Sequence, residues 1–159
     1  MEFAMNRENF CNIELSWDDF YWLGKSESNP AVEIHINSMD EEPSPPHFLQ
    51  IHAWEELQKD YETTYQKILD EVLIYYVKIR PTYVEMGPEW VESMPVIRDP
   101  KEIIKMITLN YICINWPYDE TTVNLSMSFS CSWEQEHGLG VVLENNVVKE
   151  VGDGDCAII

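Results

Sequence analysis

The fold of this chain is decided by one stretch, Cys131-Ser-Trp-Glu-Gln-Glu-His-Gly-Leu-Gly-Val-Val-Leu143. Residues 121–132 lead into this stretch. In them apolar residues alternate with small polar ones, which is the pattern of a half-buried antiparallel strand. After it, Asn145-Asn146 lies between two apolar runs, 138–144 and 147–151, and tolerates the positive φ of a tight hairpin turn. The C-terminal half is therefore predicted to be a meander of about four strands.

The middle of the chain has a helical period. Apolar residues recur every three or four positions over residues 54–76. This pattern is longer than a usual helix and Asp60 can cap a new one, so two consecutive helices are predicted, 47–58 and 60–79. Pro81 is predicted to end the second helix, because proline lacks the amide hydrogen and disfavours helix at the residue before it. Residues 81–95 are expected to be irregular.

The N-terminal third is predicted to be β-structure, with strands at 10–15, 20–23 and 31–37 and the first two joined around 16–19. In the third strand, Val32, Ile34 and Ile36 form one face, and Glu33 and His35 lie on the other. His35 is expected to be a solvated residue of that polar face. The whole chain, 1–159, is predicted to be a single α+β domain, a mostly antiparallel sheet with the helical pair packed on one face.

The composition is strongly acidic. The chain of 159 residues has 29 acidic and 10 basic residues, a net charge of −19. This charge argues against binding to nucleic acid or anionic membranes, which requires a basic surface, and favours fast association with a basic protein. No signal peptide and no span of apolar residues is recognised, so a cytoplasmic location is expected. The predicted partner surface consists of helical carboxylates, Glu55, Glu56, Glu62, Asp70 and Glu71.

Two chemical interpretations arise for the acidic-histidine stretch. Glu134, Glu136 and His137 have the side chains of metal ligands, but no second histidine lies at a useful spacing. His137 also has the chemistry of a general base, with Cys131 as the candidate nucleophile and Asp119 as a further carboxylate. The sequence alone identifies no nucleophile, so no catalytic residue, metal or cofactor is assigned.

The favoured interpretation of the same stretch is structural. Trp133 is predicted to be buried, and Gly138 and Gly140 to allow a bulge or a positive-φ turn. His137 would then hydrogen-bond to the backbone or to Glu134 or Glu136 to hold the turn. Contact with a partner protein is the remaining alternative for these residues.

Residues 133–140, Trp-Glu-Gln-Glu-His-Gly-Leu-Gly, and the Val-Val-Leu that follows also carry a family resemblance. They resemble the C-terminal signature of bacterial domains of unknown function, Trp-(Asp/Glu)-x-Glu-His-Gly-Leu-Gly. Similar small acidic proteins occur as immunity proteins in bacterial toxin systems. The resemblance implies a bacterial, non-enzymatic protein and supplies no catalytic residues.

Together these observations favour an acidic binding protein, in its specific form an immunity protein that neutralises a cognate basic toxin. Two alternatives stay open. One is a metal-dependent or histidine-based enzyme that uses Glu134, Glu136 and His137. The other is a structural subunit of a larger assembly.

Overall fold

The computed structural model describes residues 4–5, 13–26, 29 and 31–157. In these residues the strands form one sheet in chain order, and the α-helices all lie between the fourth and fifth strands. The strands are Ala4–Met5 (β1), Leu15–Asp18 (β2), Tyr21–Lys25 (β3), Glu33–Asn37 (β4), Ile107–Ile114 (β5), Asn124–Cys131 (β6), Glu134–Glu144 (β7) and Val147–Asp153 (β8). The helices are Phe48–Lys59 (α1), Tyr61–Met86 (α2), Pro88–Ser93 (α3) and Pro100–Ile103 (α4). The α+β class is confirmed, because strands and helices occur in separate runs instead of alternating.

The sheet is mostly antiparallel, as predicted, with one exception. Strands β4 and β5 are parallel, and Ile34 lies opposite Ile112. A parallel pair needs a long crossover connection, and the helical region between the two strands supplies it. The meander of the C-terminal half is confirmed, and Asn145 and Asn146 have φ values of 50° and 62° in its last turn.

The register of the strands aligns the apolar core. Ile34, Ile112, Met127 and Val141 lie opposite one another on four successive strands, and all four are buried. Residues directly opposite in a sheet point to the same side. They share one apolar cluster with the buried residues of the helices, Trp54, Leu57, Ile68, Leu69, Val72 and Tyr76. Helices and sheet therefore have a common core.

Several predicted boundaries in the first half were wrong. Residues 16–18 continue β2, and the chain turns at Asp19, which has a φ of 53°. Residues 10–12 of the first predicted strand lie outside the described residues. The break between α1 and α2 falls at Asp60 as predicted, although the Asp60 side chain makes no capping hydrogen bond.

The end of α2 is a clear correction. Pro81 lies inside this helix, which continues to Met86 and stops before Gly87. Proline removes one hydrogen bond, to the carbonyl of Val77, but both residues are exposed and water can hydrate that carbonyl. Arg80 donates from Nε to the carbonyl of Met94 at 2.6 Å, which holds the following segment against the helix. The region predicted to be irregular contains α3.

No helix among the described residues is long and apolar enough to cross a membrane.

The start of α1 is fixed by a capping box. The Nδ1 atom of His47 accepts a hydrogen bond from the Leu49 N–H at 3.1 Å, and Gln50 Oε1 accepts one from the His47 N–H at 2.9 Å. Such reciprocal bonds satisfy amide groups that have no partner within the helix. Gln50 therefore has a local role in starting the helix.

Gln50 also joins α1 to the sheet, and this predicts a large effect of its removal. Its Nε2 lies 2.8, 3.1 and 3.1 Å from the carbonyl oxygens of Asn37, Ile114 and Asn115, which share its two N–H donors, and the side chain is fully buried. We expect Gln50→Ala to lower the free energy of unfolding by about 2–3 kcal/mol, because buried carbonyls lose their donor. Urea unfolding measures this loss. The same change at exposed Gln66 of α2 is the control and should stay within about 0.5 kcal/mol.

Candidate functional site

The acidic-histidine stretch lies at the start of β7. This strand was predicted to begin at Gly138, but it begins at Glu134, which pairs with Cys131 across a tight turn. The pairing of β6 with β7 is irregular between Phe129 and Cys131. Glu134, Glu136 and His137 are therefore strand residues beside an irregularity, not a loop between strands.

Trp133 closes this end of the core. It is 2% exposed, and its ring meets Tyr76 of α2 edge-on, with ring centroids 5.0 Å apart and planes at 75°. Tyr76 is also buried and donates from its hydroxyl to the Pro95 carbonyl at 2.7 Å. The expected burial of Trp133 is thus observed, and the contact joins the turn to α2.

Gly138 and Gly140 are needed for close backbone packing. Gly138 has a φ of +72°, and a Cβ there would lie 2.5 Å from the Phe129 carbonyl oxygen. A Cβ at Gly140 would lie 2.7 Å from Cys156 Sγ. These contacts give both glycines a structural role.

The Glu134 carboxylate is held by its surroundings. Its Oε1 accepts hydrogen bonds from the N–H groups of Glu136 and His137 at 3.2 and 3.3 Å, and its Oε2 accepts one from the Tyr83 hydroxyl at 3.3 Å. Partial burial alone would raise the pKa of Glu134, but these hydrogen bonds and the nearby His137 outweigh burial and lower it. The carboxylate is therefore held in its ionised form.

The structure brings together all three residues considered as metal ligands. One ligand atom from each of Glu134, Glu136 and His137 lies within 4.8 Å of the others. His137 Nδ1 and Glu134 Oε1 are 3.5 Å apart. Glu136 and His137 are exposed, and Glu134 is partly buried. The side chains thus form a compact group on the surface.

Neither Cys131 nor Asp119 completes a catalytic site with this group. Burial raises the pKa of the Cys131 thiol to about 11, so the reactive thiolate is scarce near neutral pH, and Cys131 Sγ contacts the Glu134 carbonyl at 3.4 Å. Asp119 lies before β6, whereas Glu134 follows that strand, so the length of the strand, about 25 Å, separates them. Asp119 instead accepts a hydrogen bond from the Thr121 N–H at 2.7 Å. In the described residues, the turn has no activated nucleophile.

The predicted partner surface is distributed around the helices. Glu55, Glu62, Asp70 and Glu71 are exposed. Glu56 is half-buried and lines a cavity of about 310 Å³ between α1 and the last hairpin. Because residues nine apart differ by about half a turn, Glu62 and Glu71 lie on opposite sides of α2. The five carboxylates do not form one patch.

An aromatic cleft lies where α1 meets α2. Trp54, Tyr61 and Tyr65 line a cavity of about 380 Å³, together with Gln58 and Thr108. The rings of Tyr61 and Tyr65 are stacked, with centroids 5.8 Å apart and planes at 9°. Burial, then the charges of Tyr65 and the exposed Glu62, raise the pKa of Tyr61, so its hydroxyl stays protonated. We call these three aromatic residues the aromatic cleft.

Sequence reasoning missed an aromatic stack around His35. Its ring lies between those of Tyr21 and Tyr111, with centroid distances of 4.4 and 4.5 Å and interplanar angles of 18° and 8°. The side chain is only 14% exposed, so the predicted solvated position was wrong. Burial lowers the pKa of His35 although Glu33, at 3.6 Å, opposes this shift. The stack depends on the pairing of β3, β4 and β5, which no local pattern reveals.

The fold and the site define an α+β domain with an acidic surface, a compact group of two carboxylates and an imidazole, and an aromatic cleft. The chain belongs to the DUF6985 family, a domain of unknown function, whose model matches residues 10–158. The predicted membership of a family of unknown function is confirmed. Neither the comparison with curated proteins nor that with solved structures found a match.

Proposed function

We propose that this chain is a non-enzymatic binding protein that recognises a basic protein partner. The observation that carries the proposal is the aromatic cleft, with the exposed Glu62 close to Tyr61, in a chain of net charge −19. Aromatic side chains such as tyrosine are enriched at protein interfaces and are frequent binding hot spots. Tyr61 and Tyr65 are partly exposed and can contact a partner, whereas Trp54 belongs to the core. The carboxylate of Glu62 at the cleft and the net negative charge of the chain favour a partner that presents lysine or arginine.

The charge on α2 is available to a partner. Glu62, Asp70 and Glu71 are exposed and form no ion pair with any described residue. Exposed, unpaired carboxylates raise the rate at which an oppositely charged protein docks. Lysine or arginine that reaches the cleft can also contact the faces of its aromatic rings.

In the more specific form of this proposal, the partner is a toxin, and this chain is the bacterial, cytoplasmic immunity protein that neutralises it. The likeness of residues 133–140 to the bacterial signature supports this form, as do the small size and the acidity. The proposal takes α1 and α2 to pack on one face of the sheet and to present their outer sides to the toxin. The common core of helices and strands supports that arrangement.

The first test is recovery of the partner from the source organism. We expect tagged protein to retain one basic protein at about 50 mM salt and to release most of it at about 500 mM, because salt screens exposed charges. The bound protein is identified by mass spectrometry and its gene is located. Toxicity on expression that disappears on co-expression of this chain supports the immunity role. Recovery of no basic protein at either salt concentration contradicts the proposal.

A further inference from the structure

We propose that Glu134, Glu136 and His137 form a binding site for a divalent transition-metal ion such as Zn²⁺. Glu134 and Glu136 each offer a carboxylate oxygen, and His137 offers an imidazole nitrogen. All three are common zinc ligands. The nitrogen favours zinc and its neighbours over magnesium and calcium, which prefer oxygen ligands. In the described part of the chain, no other three such side chains come within 4.8 Å of one another.

The spacing of the donor atoms fits a small tetrahedral site. Two ligands that each lie about 2.0–2.1 Å from a tetrahedral zinc ion are about 3.4 Å apart. Glu134 Oε1 and His137 Nδ1 are 3.5 Å apart, longer than a normal hydrogen bond of about 2.7–3.2 Å. One donor atom from each of the three residues lies within 4.8 Å of the others, so the exposed Glu136 carboxylate is within reach of an ion held by Glu134 and His137.

A second element orients the first ligand. The Tyr83 hydroxyl, from α2, donates to Glu134 Oε2 at 3.3 Å, and the N–H groups of Glu136 and His137 donate to Oε1, which faces the His137 ring. Hydrogen bonds of this kind are a regular feature of metal sites, where they fix the direction of a ligand. The tyrosine thus acts on the ion through Glu134.

The strand irregularity explains why the three side chains meet. In a regular strand, Glu134 and Glu136 would point to one side and His137 to the other. The register shift beside Cys131 and the positive φ of Gly138 bracket these residues and break the alternation. The described residues supply three protein ligands, so an ion bound by them has a fourth position open to solvent.

The site is distant from the aromatic cleft, which carries the binding proposal. Tyr83, which contacts Glu134, follows Tyr61 of the aromatic cleft by 22 residues. That separation is about 33 Å along a helix. Loss of metal binding therefore leaves the binding proposal untouched, and the reverse also holds.

The test is titration of the chelator-treated full chain with Zn²⁺ by calorimetry, at physiological salt with excess Mg²⁺ to suppress diffuse cation binding. We expect one ion per chain. Glu136→Gln and His137→Gln should each weaken binding by about a hundredfold, and Tyr83→Phe by about tenfold. Co²⁺ should give the visible spectrum of a tetrahedral nitrogen-oxygen site, which the Glu136→Gln, His137→Gln double variant lacks.

The matched control is His52→Gln with Glu56→Gln, a second imidazole and carboxylate one turn apart on α1. This variant should bind Zn²⁺ as tightly as the wild type. The proposal is overturned if the wild type binds no ion under these conditions. It is equally overturned if binding survives in the Glu136→Gln, His137→Gln variant, or disappears in the α1 control. Circular dichroism confirms that each exposed substitution leaves the fold intact.

Discussion

Trp133→Ala is expected to lower the free energy of unfolding by about 3–5 kcal/mol, the range for removing a buried aromatic side chain. The ring is 2% exposed and contacts Tyr76, itself fully buried. The alanine variant loses the apolar burial of the indole and leaves a cavity beside Tyr76. Domains of this size have a total stability of about 5–15 kcal/mol, so a large part of it would be lost. Urea unfolding followed by circular dichroism measures the change.

Two variants make this test specific. Trp133→Phe keeps a ring against Tyr76 and should cost about 1–2 kcal/mol, which can be measured even if the alanine variant fails to fold. Trp116→Ala removes the same side chain from a half-buried position and should cost less than Trp133→Ala. A loss below about 1 kcal/mol for Trp133→Ala would show that the turn is not fixed by its tryptophan.

Gly138→Ala is expected to cost about 2–3 kcal/mol, since a non-glycine residue is strained at a φ of +72°. The added Cβ would also lie 2.5 Å from the Phe129 carbonyl oxygen, so the backbone of β6 or β7 must move. This movement would disturb the pairing that sets Glu134, Glu136 and His137 side by side. Thermal and urea unfolding measure the loss.

Two comparisons separate the two causes. Gly138→Asn relieves the strain, because asparagine tolerates positive φ, but keeps the Cβ contact, so it should remain destabilised. Gly87→Ala is the control. Gly87 has an extended φ of 160°, and the three atoms nearest to an added Cβ all belong to the movable carboxylate of Glu89. If Gly87→Ala and Gly138→Ala cost the same, the special role assigned to Gly138 is wrong.

Local sequence patterns predicted the helices and strands in which the spacing of apolar residues shows which face is buried. The three- and four-residue spacing from Trp54 to Tyr76 gave both long helices, because the same residues form the helical part of the core. Alternation over residues 121–132 predicted β6, and Asn145-Asn146 predicted the hairpin turn. Each of these signals is contained within one element or one turn.

Features that depend on distant residues could not be predicted this way. The parallel pairing of β4 with β5 joins Ile34 to Ile112 across the whole helical region. The helix beyond Pro81 is held by a contact from Arg80 to Met94, which lies after α3. Local propensity indicated a stop at Pro81, and tertiary contact outweighed it.

The candidate site was predicted in part for the same reason. The sequence identified Glu134, Glu136 and His137 as chemically able residues, but alternation along a strand would have separated His137 from the two acids. Their convergence depends on the irregular pairing of β6 with β7, and the orientation of Glu134 depends on Tyr83 from a distant helix. Residue identity came from the sequence, and geometry came from the fold.

Binding of a basic partner is tested most directly by its association rate with matched charge variants. Glu62→Gln with Asp70→Asn removes two charges from α2, and Glu89→Gln with Glu92→Gln removes two from α3. Both change the net charge from −19 to −17, so a difference between them reports where the partner docks. We predict a rate constant at about 50 mM salt at least threefold lower for the α2 variant than for the α3 variant, and a steep fall for the wild type as salt increases. Equal rates for the two variants, or a wild-type rate that does not change with salt, would contradict recognition through the exposed carboxylates of α2.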